Sequence, residues 1–394
     1  MERSNEENPQ VSESGNTLPR LCLNQDKMNP RKARLCFVGN MLGRNRGYVT
    51  TQGQVVADLL TTEGFLVTCV SSKINRFLRL AEIIGTIVKD HKNFDILVIE
   101  VYSGLGLIIA DVAGWLGKML KLPTIMVLHG GHLPEFIERH RWWTKRVLNR
   151  ANLLVAPSAF LAERIGAFGY QITQIPNVID LDDYTFRERS QIEPRLIWMR
   201  SFHSIYNPEM AIEVLAELRR SFPQAMLTMA GVDKGLEDKT KRMADDAGLS
   251  DAVRFPGFLD ASEKAREFAS ADIYLNTNCI DNMPVSVVEA CAFGLPVVAT
   301  RVGGLPYLIK HRENGLLVPN EDVEAMTSAV KELLDNPVLT QSISLGARRL
   351  AERSAWTRVR VDWEELVAKV LVLGSETDEK VLTKTNISTE NLKA

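Results

Sequence analysis

Twice along this 394-residue chain, short apolar runs rich in β-branched residues alternate with stretches of helical periodicity, and nothing else in the sequence restricts the fold as much. Alternating strand and helix builds parallel sheets covered by helices on both faces. The first round has expected strands at Leu35 to Gly39, Leu66 to Val70, Ile96 to Glu100, Thr124 to Leu128 and Leu153 to Ala156. Helices are expected at Thr51 to Thr62, Arg76 to His91 and Gly104 to Leu120. The second round places strands at Leu196 to Met199, Met226 to Ala230, Val253 to Phe255, Ile273 to Asn276 and Pro296 to Thr300. Its helices fall after Pro208, over Lys239 to Ala247, Ser262 to Ser270, Val285 to Phe293 and Asp322 to Leu334. Such a length exceeds one compact core, so each round is expected to form its own domain, over residues 35–185 and 194–355, joined by the charged run Asp182 to Glu193. Residues 1–34 read as a disordered polar lead, Trp356 to Leu373 as an amphipathic helix, and 374–394 as a loose tail.

Composition excludes several classes. A net charge of −2 gives no general attraction to nucleic acid. Five cysteines, odd in number and without a C-x-x-C pair, fit a reducing cytoplasm. No secretory signal opens the chain, and the most apolar helix, Leu105 to Leu122, carries Asp111, Lys118 and Lys121, so it reads as buried rather than as a membrane span.

The stretch Asp281 to Gly304, DNMPVSVVEACAFGLPVVATRVGG, carries the chemistry. It reads as loop, helix, strand and loop, with Pro284 at the first helical position and Gly294 stopping the helix. A helix start carries about half a positive charge, which favours a phosphate or an electron-rich hydroxyl. Asp281 and Glu289 frame that start, and a carboxylate accepts well from a vicinal diol. Gly303-Gly304 offers a second close backbone approach. Each residue alone also fits plain capping or turn duty.

Together, Glu289-Ala290, Gly294-Leu295-Pro296, Thr300 and Gly303-Gly304 resemble the nucleotide-sugar site of the retaining glycosyltransferases of family four. That resemblance implies a GT-B fold: α/β, two Rossmann-like doubly wound parallel-sheet domains facing each other across a cleft, with a final helix returning to the first domain. It implies that Glu289 takes the ribose hydroxyls, and that Asp281 with the backbone of Asn282, Met283, Pro284 and Val285 holds the donor sugar. The first acid of the family pattern is usually Glu; here Asp281 is one methylene shorter.

Other strand ends point to the same cleft. Thr124 to Leu128 runs into His129-Gly130-Gly131-His132, and the family has His-Gly there, so His129 is implied near the transferring sugar; His132 has no such support. His129 equally suits a structural role. Arg200 ends the strand Leu196 to Met199, where a guanidinium can clamp a diphosphate. The family pattern has Gly before this Arg and Lys five residues after it; here Met199 and Ile205 stand instead, followed by Tyr206 and Asn207. The loop Gly39 to Gly47 follows the first strand with the wrong spacing for a dinucleotide fingerprint; by resemblance Gly43 and Gly47 are weaker donor candidates.

The implied reaction moves a sugar from a nucleotide-sugar donor to a glycan or lipid-linked acceptor with retention of anomeric configuration, by front-face attack, without metal or cofactor. The same fold also serves nucleotide-sugar 2-epimerases, and the absent lysine leaves room for a silent nucleotide-sugar-binding subunit. A phosphorylase would want a pocket richer in lysine. Finally, Ile137 to Arg150 mixes Arg139, Arg141, Lys145 and Arg146 with Trp142 and Trp143, a composition suited to an anionic membrane surface or simply to a half-buried helix. The expected location is the cytoplasm, with peripheral contact on the cytosolic membrane face.

Overall fold

A computed structural model describes residues 33–45 and 48–390, the side chains of Arg44 and of residues 374–390 excepted. The expected lead up to residue 32, Gly47 and residues 391–394 lie outside the described residues.

The first round contains β1 (Arg34–Val38), α1 (Gln52–Thr62), β2 (Leu66–Val70), α2 (Arg76–Asp90), β3 (Ile96–Val101), α3 (Gly106–Met119) and β4 (Thr124–Leu128). It closes with α4 (Leu133–Arg139), α5 (Arg141–Leu148), β5 (Leu153–Ala156), α6 (Ala159–Gly166) and β6 (Ile172–Gln174). The strands form one parallel sheet in the order β2-β1-β3-β4-β5-β6. Because side chains alternate across a strand, Cys36, Val38, Leu97 and Ile99 meet α2, α3, α5 and α6, while Leu35, Phe37, Ile96 and Val98 meet α1 on the other face.

The second round contains β7 (Arg195–Met199), α7 (Pro208–Arg219), β8 (Met226–Ala230), α8 (Glu237–Asp246), β9 (Val253–Gly257), α9 (Ala261–Ser270) and β10 (Ile273–Asn276). It continues with α10 (Val285–Ala292), β11 (Val297–Thr300), α11 (Leu305–Leu308), β12 (Leu316–Val318), α12 (Val323–Asp335) and α13 (Pro337–Glu352). Its sheet is also parallel, in the order β12-β11-β10-β7-β8-β9. The strand order reverses beside β1 and β3 in one sheet and beside β7 and β10 in the other. In open α/β sheets the crevice outside the carboxyl ends of such strands is where ligands bind.

The last helix, α14 (Trp356–Glu390), returns to the first sheet. Trp356, Val359, Trp363, Val367 and Val370 join α1 in its core. Trp356 Nε1 donates to Glu63 Oε1 at 3.1 Å, and Arg360 Nη1 to Glu63 Oε2 at 2.8 Å.

Four local expectations differ from the structure. The helix that was expected to end at Leu373 runs to Glu390; Gly374 alone does not stop a helix whose hydrogen-bond ladder is already propagating. Ile137 to Arg150 is two helices, parted at His140, whose φ of −120° and ψ of 42° leave the helical region. Pro284 caps α10 rather than opening it, with ψ at 118°. The run Asp182 to Glu193 is a strap seated in the second domain rather than a free linker. Arg189 is 1% exposed; it donates to the carbonyls of Arg187 at 2.7 Å and Ala271 at 3.0 Å. Its charge content had marked it as a solvated segment, yet carbonyls rather than water satisfy the guanidinium.

Candidate donor and acceptor cleft

Arg200, at the end of β7, is the centre of the second domain's half of the site. Its Nη2 is paired with Asp281 Oδ2, its Nη1 donates to Ser286 Oγ at 3.4 Å, and its guanidinium lies 4.0 Å from the Tyr206 ring centroid. Burial works against its charge, but Asp281, then Tyr206, Tyr274 and Glu289, more than offset that, so its pKa is raised. The position where the family places a lysine is therefore followed by an aromatic face on which the arginine rests.

Asp281 is held from three sides. Besides Arg200, Asn278 Nδ2 donates to Oδ2 at 2.7 Å, and the Asn282 backbone N–H donates to Oδ1 at 2.8 Å. Tyr274 donates to Ser286 Oγ at 2.8 Å, tying the first turn of α10 to β10. The Val287 N–H already donates to the Pro284 carbonyl at 3.1 Å, so in that turn it is the N–H groups of Val285 and Ser286 that lack an acceptor within the helix, with Arg200 held beside them.

Glu289, one turn into α10, is buried, and its Oε1 accepts from the Tyr184 hydroxyl at 3.1 Å and from Lys264 of α9. Burial first, and then the Glu289 charge, push the Tyr184 pKa up, so it stays a donor. A carboxylate has about four lone-pair positions, so two donors on one oxygen leave it able to accept from a diol. Among the described residues, Tyr184 and Lys264 carried no sequence signal: one lies in the apparent linker and the other on an ordinary charged helix.

Gly303 and Gly304 were expected to approach the ligand; the structure shows a packing reason for both glycines. Gly303 has φ +50°, and a Cβ there would collide with the Asp281 carbonyl; at Gly304 it would collide with the Asn282 carbonyl. The Gly304 N–H donates to Asp281 O at 2.9 Å. The pair packs bare backbone against the loop that leads into α10. Replacing Gly304 by alanine is therefore expected to displace that loop, lowering the melting temperature and nucleotide affinity together; an unchanged melt in differential scanning calorimetry would contradict this. Gly43 is likewise occupied, its Cβ position lying 2.5 Å from Thr50 Cα.

The first domain meets this loop directly. A Cβ on Gly131 would lie 3.0 Å from the Asp281 carbonyl carbon, so the His129 loop and the Asp281 loop are in contact. Ser158 Oγ bonds Asn282 Oδ1, and Asn177 Nδ2 donates to Met283 O at 2.8 Å. The side chain of Asn282 and the carbonyl of Met283 thus join the two halves, rather than being free for a sugar.

His129 stands 2.5 Å from Glu100 Oε2, an approach that lacks hydrogen-bond alignment, and its ring stacks on Tyr102 with centroids 4.9 Å apart. Glu100 is 2% exposed. Gly39 and Gly53 make room for it, since a Cβ at Gly39 would lie 2.7 Å from Glu100 Cβ, and one at Gly53 would overlap its carboxyl carbon. Its carboxylate consequently lies against the first turn of α1, where the helix dipole favours an anion. Beside it is a small pocket of about 20 Å³ bounded by Gln52, Gly53, Glu100, His129, Asn177 and Trp363. The signal for Glu100 was present: a lone carboxylate inside the apolar run DILVIEV needs a buried partner. His132 is exposed.

Of the basic and aromatic residues in α4 and α5, Trp143 donates to Asp111 at 2.7 Å, and Arg146 and Arg150 pair with the same carboxylate, which explains that cluster structurally. Trp142 is 75% exposed, with Arg146 5.1 Å above its ring. Arg139, Arg141 and Lys145 are exposed. Among the described residues no helix is long and apolar enough to cross a membrane.

Comparison with known proteins bears on the family and the fold. Residues 185–350 match the family described as glycosyl transferases group 1, and residues 55–183 match glycosyltransferase family 4. The chain belongs to the group 1 glycosyltransferases of GT-B fold. Among its relatives is the D-inositol 3-phosphate glycosyltransferase of Pseudarthrobacter chlorophenolicus, 28% identical over 248 residues, 59% of each chain. Another is the GDP-mannose-dependent alpha-(1-6)-phosphatidylinositol monomannoside mannosyltransferase of Mycolicibacterium smegmatis, 28% identical over 52% of this chain and 59% of the relative. The matches thus span under two thirds of those relatives' lengths. Sucrose-phosphate synthase from Thermosynechococcus elongatus shares the fold, with a TM-score of 0.72 at 16% identity over 87% of this chain and all of that one. So does Anabaena HepE, solved with UDP, with a TM-score of 0.65 at 16% identity over 85% of this chain and all of that one.

Proposed function

We propose that this chain transfers a sugar from a nucleotide-sugar donor to a glycan or lipid-linked acceptor, with retention of anomeric configuration. The observation that carries this reading is the fixed, charged Arg200 at the start of α10, paired with Asp281, whose loop touches the His129 loop of the first domain. Glu289 receives the ribose diol, and Asp281 orients the arginine and reaches the donor sugar. As the anomeric C–O bond breaks, the departing diphosphate gains charge, which Arg200 and the α10 dipole neutralise. The acceptor oxygen forms its bond on the same face, and its proton passes to a leaving phosphate oxygen. His129, kept in place by Glu100 and Tyr102, borders the oxocarbenium-like sugar. This scheme needs no metal. The relatives' names, which describe glycosyl transfer, and the UDP held by a protein of the same fold support the choice of donor class.

A silent nucleotide-sugar-binding subunit draws on a different observation: Arg200 rests on Tyr206 where the family pattern has a lysine nearby. Incubation with a panel of nucleotide sugars, with and without glycan and lipid-phosphate acceptors, separates the two. Acceptor-stimulated nucleotide release is the expected result; binding without release would overturn transfer, and a free epimerised donor would point to epimerisation.

His129→Ala is expected to lower turnover about a hundredfold or more with a change in donor affinity of only a few-fold. Isothermal titration with donor and steady-state rates measure the two separately. Equal loss of thermal stability and activity would assign His129 to the core instead.

A further inference from the structure

α2 and α3 pack side by side on the same face of the first sheet, and both turn large apolar side chains away from it. Ile83 and Ile87 of α2, and Leu107, Ala110 and Ala113 of α3, already fill the core. On the outer faces stand Phe77, Leu78, Ile84 and Val88, and beside them Leu105, Ile108, Trp115 and Met119. Phe77 is 84% exposed and Met119 65%. The α3 residues recur at helical spacing, so they form one stripe rather than scattered exceptions. A contiguous apolar surface of this kind on a globular protein marks an interaction site.

Charge selects the occupant. Lys73, Arg76, Lys89, Lys92, Lys118 and Lys121 surround the two stripes and are all exposed. The acids on these helices are fewer and engaged or set back: Glu82 accepts from Ser71, Asp111 is held by Trp143, Arg146 and Arg150, and Asp90 is half-buried. Apolar residues ringed by lysine and arginine match the interface of an anionic bilayer, where the rings enter the headgroup region and the cations meet lipid phosphates. A second copy of the chain would set the same cations against each other.

We infer that the α2–α3 face docks this protein on an anionic lipid bilayer. Both helices begin at the carboxyl ends of their strands, so Phe77 and Leu105 lie at the rim of the cleft. A docked chain opens its crevice beside the lipid headgroups, where an amphiphilic acceptor is presented without leaving the bilayer. The surface stands on its own residues and holds whichever donor is used.

The test is co-sedimentation of the full chain with vesicles of phosphatidylcholine alone or of equal parts phosphatidylcholine and phosphatidylglycerol. The native chain is expected to pellet with the anionic vesicles only, and less so in high salt. F77E/W115E is expected to lower that partition at least tenfold, with thermal melt and binding of nucleoside diphosphates unchanged. No binding to the anionic vesicles, or equal binding by the variant, would overturn the inference. So would a native dimer in sedimentation velocity that the same substitutions dissociate. Since nucleotide binding is read separately, failure of docking leaves the donor site assignment untouched.

Discussion

Arg200→Ala is expected to reduce turnover about a hundredfold to a thousandfold, the loss that follows removal of one preorganised group facing developing charge. The same change should also lower stability. Arg200 and Asp281 are both largely buried and paired, and breaking such a pair leaves an uncompensated charge at a cost of about 3–5 kcal/mol. The lower end applies here, because Asp281 keeps its bonds from Asn278 and from the Asn282 N–H. Arg200→Lys separates the two effects. It retains charge beside Asp281 but loses the planar fork and its rest on Tyr206, so stability should recover more than turnover. Calorimetry and steady-state rates on both variants provide the check. A lysine variant with full activity would show that charge alone suffices at this position.

Glu289→Gln should weaken nucleotide-sugar binding by about tenfold to a hundredfold, the equivalent of the roughly 1.5–3 kcal/mol carried by a hydrogen bond to a charged group. The same carboxylate also has partners inside the protein. Oε1 accepts from Tyr184 and Lys264, so glutamine keeps the tyrosine contact but gives up the ion pair. Lys264 is partly solvated, and a pair of that kind contributes about 0–1 kcal/mol. A melt lowered slightly, with affinity lowered strongly, is the expected combination in titration calorimetry with UDP, GDP and ADP. Unchanged affinity for every nucleotide that the native chain binds would remove Glu289 from the site.

The parallel α/β architecture was legible because it depends on periodicity. β3 reads as an apolar run interrupted only by Glu100, as it is buried on both faces, and Asn207-Pro208 opens α7 as their chemistry dictates, the Asn207 side chain accepting from Met210 N at 3.4 Å. Arg200, Asp281 and Glu289 were legible as residues, but not their partners. Tyr184 and Lys264 reach Glu289 from distant segments, which no local pattern encodes, whereas Asn278 and Tyr206 lie a few residues from Asp281 and Arg200 in loops whose turns bring them into contact. Gly303-Gly304 announces a close approach of backbone, and the structure places the Asp281 loop against it. Glu100 was open to discovery by solvation logic, since a carboxylate in a strand buried on both faces must be matched from elsewhere.

The polypeptide passes between its two halves at Ile179 and again at Ala355, and these passages are stitched together: Ile179 N–H donates to Ser354 O at 2.9 Å, and Trp356 N–H to Ile179 O at 3.0 Å. Two crossings fastened at one place act like the spine of a book. Any opening of one half against the other would turn about that line, whereas sideways slippage would break both hydrogen bonds.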